Sequence, residues 1–386
     1  MRSMEISRRR FLALLAAYGA GPTAIGAARA QPSPVGTDSR SLYLSARKND
    51  GRYEAAVFDE KGNDRLVIPM PDRGHSFALD PVRGRATVFE RQPGFFAITF
   101  DVAGKSPPQT MQASPGRHFY GHGVYSPNGD IMVATENVYE AGQGVLGIYD
   151  SSGKGQYRRL GEWSSGGIGP HEIVLMPDGR TVCVANGGIL THPDYGKLQL
   201  NGDTMHPSLA YVDMHSGELL EQVFLEPSLR KLSIRHLVVD AAGAVWFGCQ
   251  YTGTAQDRPP LVGRHRRGMP LQLFTGPDEA LRSMNNYVGS MAANLAGTVI
   301  ATSSPVGGKV LFWDAQSGKF LESRDISDGC GVASAQEYQF IVSSGRGTLQ
   351  RLTVPGGDET IQQSPGISWD NHLRRLRYSA AATTQG

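Results

Sequence analysis

Ile148-Tyr149-Asp150-Ser151-Ser152-Gly153 ends a β-strand on an aromatic residue and an aspartate and then turns on glycine. Val57-Phe58-Asp59 with Gly62, Thr99-Phe100-Asp101 with Gly104, Tyr211-Val212-Asp213 with Gly217, and Phe312-Trp313-Asp314 with Gly318 repeat it. Upstream of all but the first of these lies another strand pair joined by a tight turn. Pro127-Asn128-Gly129 and Pro177-Asp178-Gly179 are the clearest, with Ala242-Gly243 and Ala296-Gly297 as weaker echoes. Asn or Asp before Gly supplies the positive φ that short hairpins require. The period, roughly 40 to 50 residues, is that of four-stranded propeller blades.

Counting outward gives blades at 41–71, 72–113, 117–161, 170–225, 234–274, 286–326 and 329 to about 354. The first unit begins with Ser41-Leu42-Tyr43-Leu44, which matches the second strand of the others, so its innermost strand is missing. The tail Ser368-Trp369-Asp370-Asn371-His372-Leu373 can supply it and remove an open sheet edge. The expected fold is all-β: a seven-bladed β-propeller closed by pairing of the C-terminal strand with the first blade.

Composition agrees. The chain has 48 Gly and 23 Pro with 19% charged residues, a turn-rich profile suited to many short strands. The formal charge of +2 points to neither nucleic acid nor an acidic membrane surface. Arg264-His265-Arg266-Arg267 is the one dense basic cluster and reads as a solvated hairpin turn. Three cysteines, an odd number, argue against a disulfide framework. Ser7-Arg8-Arg9-Arg10-Phe11-Leu12, an apolar run to Tyr18 and Ala28-Arg29-Ala30 form a twin-arginine export signal with an A-x-A cleavage site. Residues 1–30 are therefore expected to be removed and the mature chain, from Gln31, to work in the periplasm as a monomer without a membrane span. Residues 31–386, about 355 in all, are expected to form a single propeller domain, a length that closed all-β folds carry as one domain.

Aligned blades show a second pattern at the start of each innermost strand. His75, His122, His171 and His236 stand five or six residues before the first hairpin turn of their blades. Cys330 holds the matching place in the seventh unit and His372 in the closing strand; the sixth blade has Gly289-Ser290 there. Innermost strands line the central channel, so equivalent positions form a ring. One reading is structural, since WD-type repeats use a Gly-His pair near this place to bond neighbouring turns, as Gly74-His75 and Gly121-His122 would allow. The other is a metal site, because imidazoles converging on one axis are costly to protonate together and a divalent ion relieves that cost. In the metal reading His75, His122, His171, His236 and His372 are ligands, Cys330 is a thiolate candidate, and Glu172 orients a neighbour.

The second-to-third strand connections open on the same face and carry Arg47, Glu90-Arg91, Glu136-Asn137, Asn186, Gln250 and Ser344 with Arg346. The fourth blade's connection, 186–208, is an insertion bearing His192, Asp194 and His206. It is expected to fold over the ring as a lid, and these residues with the polar connections are the candidates for holding a cofactor or small ligand at the channel mouth.

Arg117-His118-Phe119-Tyr120-Gly121-His122-Gly123, Gly167-Ile168-Gly169-Pro170-His171-Glu172, Asn186 through Asp194 and Trp369-Asp370-Asn371-His372 resemble an exported proteobacterial family catalogued as a domain of unknown function. The resemblance covers essentially the whole mature chain. It implies an amine-dehydrogenase-like or WD-like propeller, often encoded beside imelysin-like and di-haem oxidoreductase-like proteins, and hence iron or haem handling and periplasmic iron-uptake proteins as partners. Enzyme signatures fail: Gly142-Gln143-Gly144-Val145-Leu146-Gly147 has no helix after it, His171-Glu172 lacks a second histidine, and there is no G-x-S-x-G elbow or C-x-x-C-H haem attachment. Covalent haem is excluded. A transition ion, iron or copper, or non-covalent haem is left. The expected function is a metal-binding accessory protein. A lactonase-like or quinoprotein-like enzyme with Glu90 or Glu136 at an acidic metal site, or a protein-interaction platform, are the alternatives.

Overall fold

The computed structural model describes residues 40–153 and 156–378. The export signal and its cleavage site lie outside these residues. Among the described residues no helix is long and apolar enough to cross a membrane.

Seven antiparallel four-stranded sheets make the propeller. Blade one consists of β1 (Arg40–Asn49), β2 (Arg52–Phe58) and β3 (Asp64–Pro69), with its innermost strand supplied by β28 (Ile367–Tyr378). Blade two is β4 (Gly74–Asp80), β5 (Arg85–Glu90), β6 (Phe96–Asp101) and β7 (Gln109–Gln112). Blade three is β8 (Arg117–Tyr125), β9 (Ile131–Val138), β10 (Gln143–Asp150) and β11 (Arg158–Ser164). Blade four is β12 (Pro170–Leu175), β13 (Thr181–Asn186), β14 (Ser208–Asp213) and β15 (Leu219–Phe224). Blade five is β16 (Leu232–Val239), β17 (Val245–Tyr251), β18 (Val262–His265) and β19 (Gln272–Phe274). A short helix, α1 (Asp278–Ser283), leads to blade six: β20 (Ser290–Ala293), β21 (Val299–Ser304), β22 (Lys309–Asp314) and β23 (Phe320–Asp325). Blade seven is β24 (Gly329–Ser334), β25 (Gln339–Ser344), β26 (Thr348–Thr353) and β27 (Asp358–Gln363).

The expected closure is present: β28 pairs antiparallel with β1 from Arg40 opposite Tyr378 to Asn49 opposite Ile367. The boundary that differs most is the end of blade seven, where β27 adds a fourth strand beyond residue 354. Its sequence, Asp358-Glu359-Thr360-Ile361-Gln362-Gln363, is polar on both faces and largely exposed, so it carries no alternation to read. Burial falls outward within a blade. Both β13 and β14 are buried throughout, whereas the outermost β15 and β27 are largely open to solvent. The aromatic residues that end the third strands pack between blades: Phe312 lies 5.4 Å from Phe340 of the next blade. Gly142 and its neighbours form a turn and β10, as expected of a strand connection rather than a nucleotide loop.

Candidate metal centre

The ring positions share a backbone irregularity. In β4 the pairing shifts between Gly74 and Phe77, in β8 between Phe119 and Gly123, in β12 between Pro170 and Ile173, and in β16 between Ile234 and His236. The same shift occurs in β24 between Gly329 and Val332, and in β28 opposite Ser45 and Arg47. Each is a β-bulge that places one or two extra residues on the innermost strand and re-aims them toward the axis. The sixth blade, which has no ring histidine, pairs regularly from Ser290 onward. Bulging leaves backbone groups out of the ladder, and hydroxyls one strand out take them up. Ser45 donates to the His372 carbonyl at 2.8 Å, and Thr135 Oγ1 lies 3.2 Å from the carbonyls of both His122 and His171. At Gly121 φ is +98°, and a Cβ there would stand 2.6 Å from the His75 ring, so glycine makes the room that the ring needs.

The five histidines converge. Ring centroids are 4.5 Å apart for His75 and His372, 4.6 Å for His122 and His372, 4.7 Å for His122 and His171, and 5.0 Å for His171 and His236. The Nε2 atoms of His122 and His372 are 3.2 Å apart. Ligand atoms of His122, Glu172, His236 and His372 lie within 4.8 Å of one another, as do those of His75, His122 and His171. All five imidazoles are buried. Burial pushes His75 down to about 4 against the opposing pull of Asp370. It drives His122, His171 and His372 well below the usual histidine range, and lowers His236. The ring is therefore a set of neutral nitrogen donors, the form that binds metal.

Two carboxylates back it in the same manner. Asp370 Oδ1 is 3.4 Å from His75 Nδ1, and Glu172 Oε2 is 3.4 Å from His236 Nδ1. Burial would raise both acids, but contacts from the imidazoles and the charge of nearby guanidinium groups prevail. His75, Arg73 and Arg91 hold Asp370 at about 2, while Arg374 and His236 hold Glu172 far below the usual carboxylate range. Glu172 also accepts the Leu237 N–H at 3.1 Å and an ion pair from Arg374, so both its oxygens are engaged and it orients His236. A carboxylate on one ring nitrogen fixes the tautomer and turns the other outward to an ion. Asp370, Arg73 and Arg374 were not among the sequence candidates. Asp370 stands two residues before His372 in a quoted motif, and that adjacency was the available signal.

The other expected residues divide. Cys330 occupies its bulge, but its Sγ faces the Asp328 carbonyl at 3.1 Å and it joins neither group; burial raises its thiol well above the ordinary range. Arg47 turns into its own blade, pairing with Glu54 and Asp64 at 2.6 Å each. Glu90 accepts the backbone N–H groups of Phe95 and Phe96, and burial lifts it to about 7. Glu136 takes the Tyr149 hydroxyl and Arg159, and Asn186 donates to the Ser165 carbonyl. Arg346 is exposed. Asn137 donates to His118 Nε2 at 3.1 Å and to the Thr191 carbonyl at 3.3 Å, which ties the insertion down.

The insertion does cover the ring face. A chamber of about 140 Å³ lies between Ile189, Thr191, Lys197 and Gln199 of the insertion and His75, His171 and His236, with Arg91 and Arg235 beside them. The expected lid histidines point elsewhere. His192 sits by Glu140 at 3.6 Å and Tyr139, Asp194 is exposed, and His206 stacks on Phe224 of the outermost strand with centroids 4.5 Å apart. Lys197 and Gln199, not these three residues, line the chamber from the insertion's side. A larger groove of about 730 Å³ opens among the hairpin turns of blades five and six, but among the described residues its walls bring no cluster of ligating groups together.

The geometry of the ring suits a single ion. A haem plane does not fit between imidazoles whose centroids are about 5 Å apart.

The chain belongs to the family described as "Protein of unknown function (DUF1513)", whose model matches residues 68–376. No curated protein matches it by sequence. Among solved structures it is similar to Kuenenia stuttgartiensis hydrazine synthase, with 13% identity and a TM-score of 0.61 over 84% of this chain and 99% of that one. It is also similar to the β-propeller domain of Myceliophteria thermophila Cps50 (Swd1), with 12% identity and a TM-score of 0.54 over 90% and 99% of the two chains. BamB from Moraxella catarrhalis gives 11% identity and a TM-score of 0.50 over 81% and 83%. At these identities the likeness is one of fold.

Proposed function

We propose that this DUF1513 protein is a metal-binding accessory protein of the periplasm that holds one divalent transition ion, iron or copper, in its histidine ring. The observation that carries the reading is the 3.2 Å separation of His122 Nε2 and His372 Nε2 within a buried cluster of neutral imidazoles. Two nitrogens bound to one tetrahedral ion at about 2.0–2.1 Å stand about 3.4 Å apart, so the ring is already close to ligand spacing. His122 and His372 would be the central ligands, His236 and then His75 and His171 the others, with Glu172 and Asp370 setting tautomers. Bound there, the ion would supply a Lewis-acidic, positively charged centre. Imidazoles without a thiolate suit Cu(II), Fe, Ni and Zn, and by affinity alone copper outcompetes iron. Iron loading therefore needs supply before export, which a protein folded in the cytoplasm allows.

The enzyme reading draws no support from the acids it relied on. The oxygens of Glu136 are held by Tyr149 and Arg159, and Glu90 is bound to backbone N–H groups; neither lines the chamber.

Metal analysis tests the proposal. Protein stripped with a chelator and reloaded with Cu(II), Zn(II) or Fe(II) should bind one ion. His122→Ala with His372→Ala should weaken binding about a hundredfold, and a variant with all five histidines replaced by alanine should bind none. Equal metal content in wild type and the five-histidine variant would overturn it. Export through the twin-arginine route, cleavage after Ala30, a monomeric state and iron-uptake partners belong to the same proposal. Mass spectrometry of protein from the periplasmic fraction should find Gln31 at the N-terminus, and an intact leader there would refute cleavage.

A further inference from the structure

The chamber between the insertion and the ring has a one-sided charge. Arg91, Lys197 and Arg235 line it together with neutral imidazoles and carboxamides, and no aspartate or glutamate does. Among the described residues none of these three cations has an ion-pair partner, and the buried Nε of Arg235 has no hydrogen-bond acceptor. The acid whose charge reaches Arg91 and Lys197, Asp370, is already engaged by Arg73 and His75. The cations repel one another: the Arg91 guanidinium, more than burial, lowers the Lys197 ammonium pKa. By contrast the buried Arg47 is paired with two carboxylates and the half-buried Arg374 with Glu172. A guanidinium in a partly desolvated site without acceptor or counter-charge is costly, and a site that gathers two more cations around it is built to be neutralised from outside.

We infer that this chamber binds a small oxyanion carrying about two negative charges, held by Arg235 at its floor and by Arg91 and Lys197 at its rim. Guanidinium groups favour oxyanions because their fixed fork matches two oxygens at once. A volume of about 140 Å³ suits an occupant of roughly the size of benzene, such as inorganic phosphate or a short dicarboxylate. Phosphate and dicarboxylate offer the same chemistry to these cations. The insertion contributes Lys197 and Gln199, so it is part of the binding wall and not only a cover. The inference goes beyond the metal reading and does not depend on it, because the cationic lining exists whatever the ring holds.

Calorimetric titration of chelator-stripped, full-length protein with phosphate, oxalate and malonate at constant ionic strength tests it. One-to-one binding is expected. Affinity should fall at least about tenfold in Arg91→Gln/Lys197→Gln and in Arg235→Gln, and be unchanged in Lys105→Gln, an exposed residue of the β6–β7 connection that does not line the chamber. The rim double variant removes only partly exposed side chains, so it answers the question even where Arg235→Gln perturbs the fold. Stronger binding of phosphate would assign the inorganic source, and stronger binding of oxalate or malonate the carboxylate one. Binding that persists in His122→Ala/His372→Ala separates this site from the metal centre. No binding of any of the three anions at millimolar concentration, or equal affinity in wild type and rim variant, would overturn the inference.

Discussion

His118 shows how one buried side chain can set pH dependence. Its Nδ1–H donates to the Phe119 carbonyl at 3.0 Å while its Nε2 accepts from Asn137 at 3.1 Å, an arrangement that only the neutral ring satisfies. Tyr120 and Tyr139 pack on the ring, and the nearby His192 adds to the burial that lowers His118 to about 4. The unfolded chain takes up a proton near 6.5, the folded one only near 4. The native state thus binds fewer protons between these values, and stability rises with pH across the window. The contribution is fully present above 6.5 and lost as pH falls toward 4, at most roughly 3 kcal/mol. Glu90 runs the other way: raised to about 7, its contribution is full below 4.5 and lost as pH rises through 7. We expect urea midpoints of the metal-free protein to drop between pH 6.5 and 4, with a shallower drop in His118→Leu, where the Glu90 background is unchanged. Identical slopes in the two proteins would show that His118 titrates normally.

At the scale of elements, the insertion between β13 and β14 is fastened at both levels. Gly187 and Gly188 donate to the Gly169 and Ile168 carbonyls at its base, and Gln92 and Asn137 hold Thr191 above the ring. Excising residues 189–205 with a short Gly-Ser bridge leaves the base bonds and all four strands of blade four intact. The variant should still unfold in one transition, with a lower midpoint because Ile189 and Met205 are buried. Its loaded metal should pass to an external chelator about tenfold faster than in wild type, since the cover over His75, His171 and His236 is gone. An unchanged transfer rate would mean that metal leaves by another path. The insertion's length and place could be read from the sequence, but not which of its residues face inward. His192 and His206 looked like ligands by type; the backbone aims Lys197 and Gln199 at the chamber instead.

The molecule as a whole depends on a strand that begins at residue 367. β28 is the innermost strand of blade one, and it carries Trp369, Leu373 and Leu376 in the interblade cores as well as Asp370, His372 and Arg374 at the centre. Removing residues after Ser364 leaves β1 with an unpaired edge and the ring without its closure. The truncated protein should lose its cooperative transition or accumulate as aggregate, where deletion of a frayed tail would leave the midpoint unchanged. Circular dichroism melting decides between these, and a midpoint near wild type would refute the closing role.

The sequence by itself determined the blade repeat, the seven-fold count, the closure and the positions that meet at the axis. These rest on local physics: turn residues with positive φ, two-residue alternation and a fixed period. Tertiary structure alone decided how the site is assembled and which charges surround it. A bulge is a relation between two paired strands, so the turning of His75, His122, His171, His236 and His372 inward appears only in the register. Charge partners are likewise chosen by folding. Arg73 meets Asp370 across 297 residues, and Arg374 meets Glu172 across 202, distances over which no local pattern carries information. Arg47, Glu136 and Asn186 looked like Arg91 in sequence, polar residues in equivalent connections. Each found a partner within or beside its own blade, while Arg91 makes no ion pair among the described residues and faces the chamber.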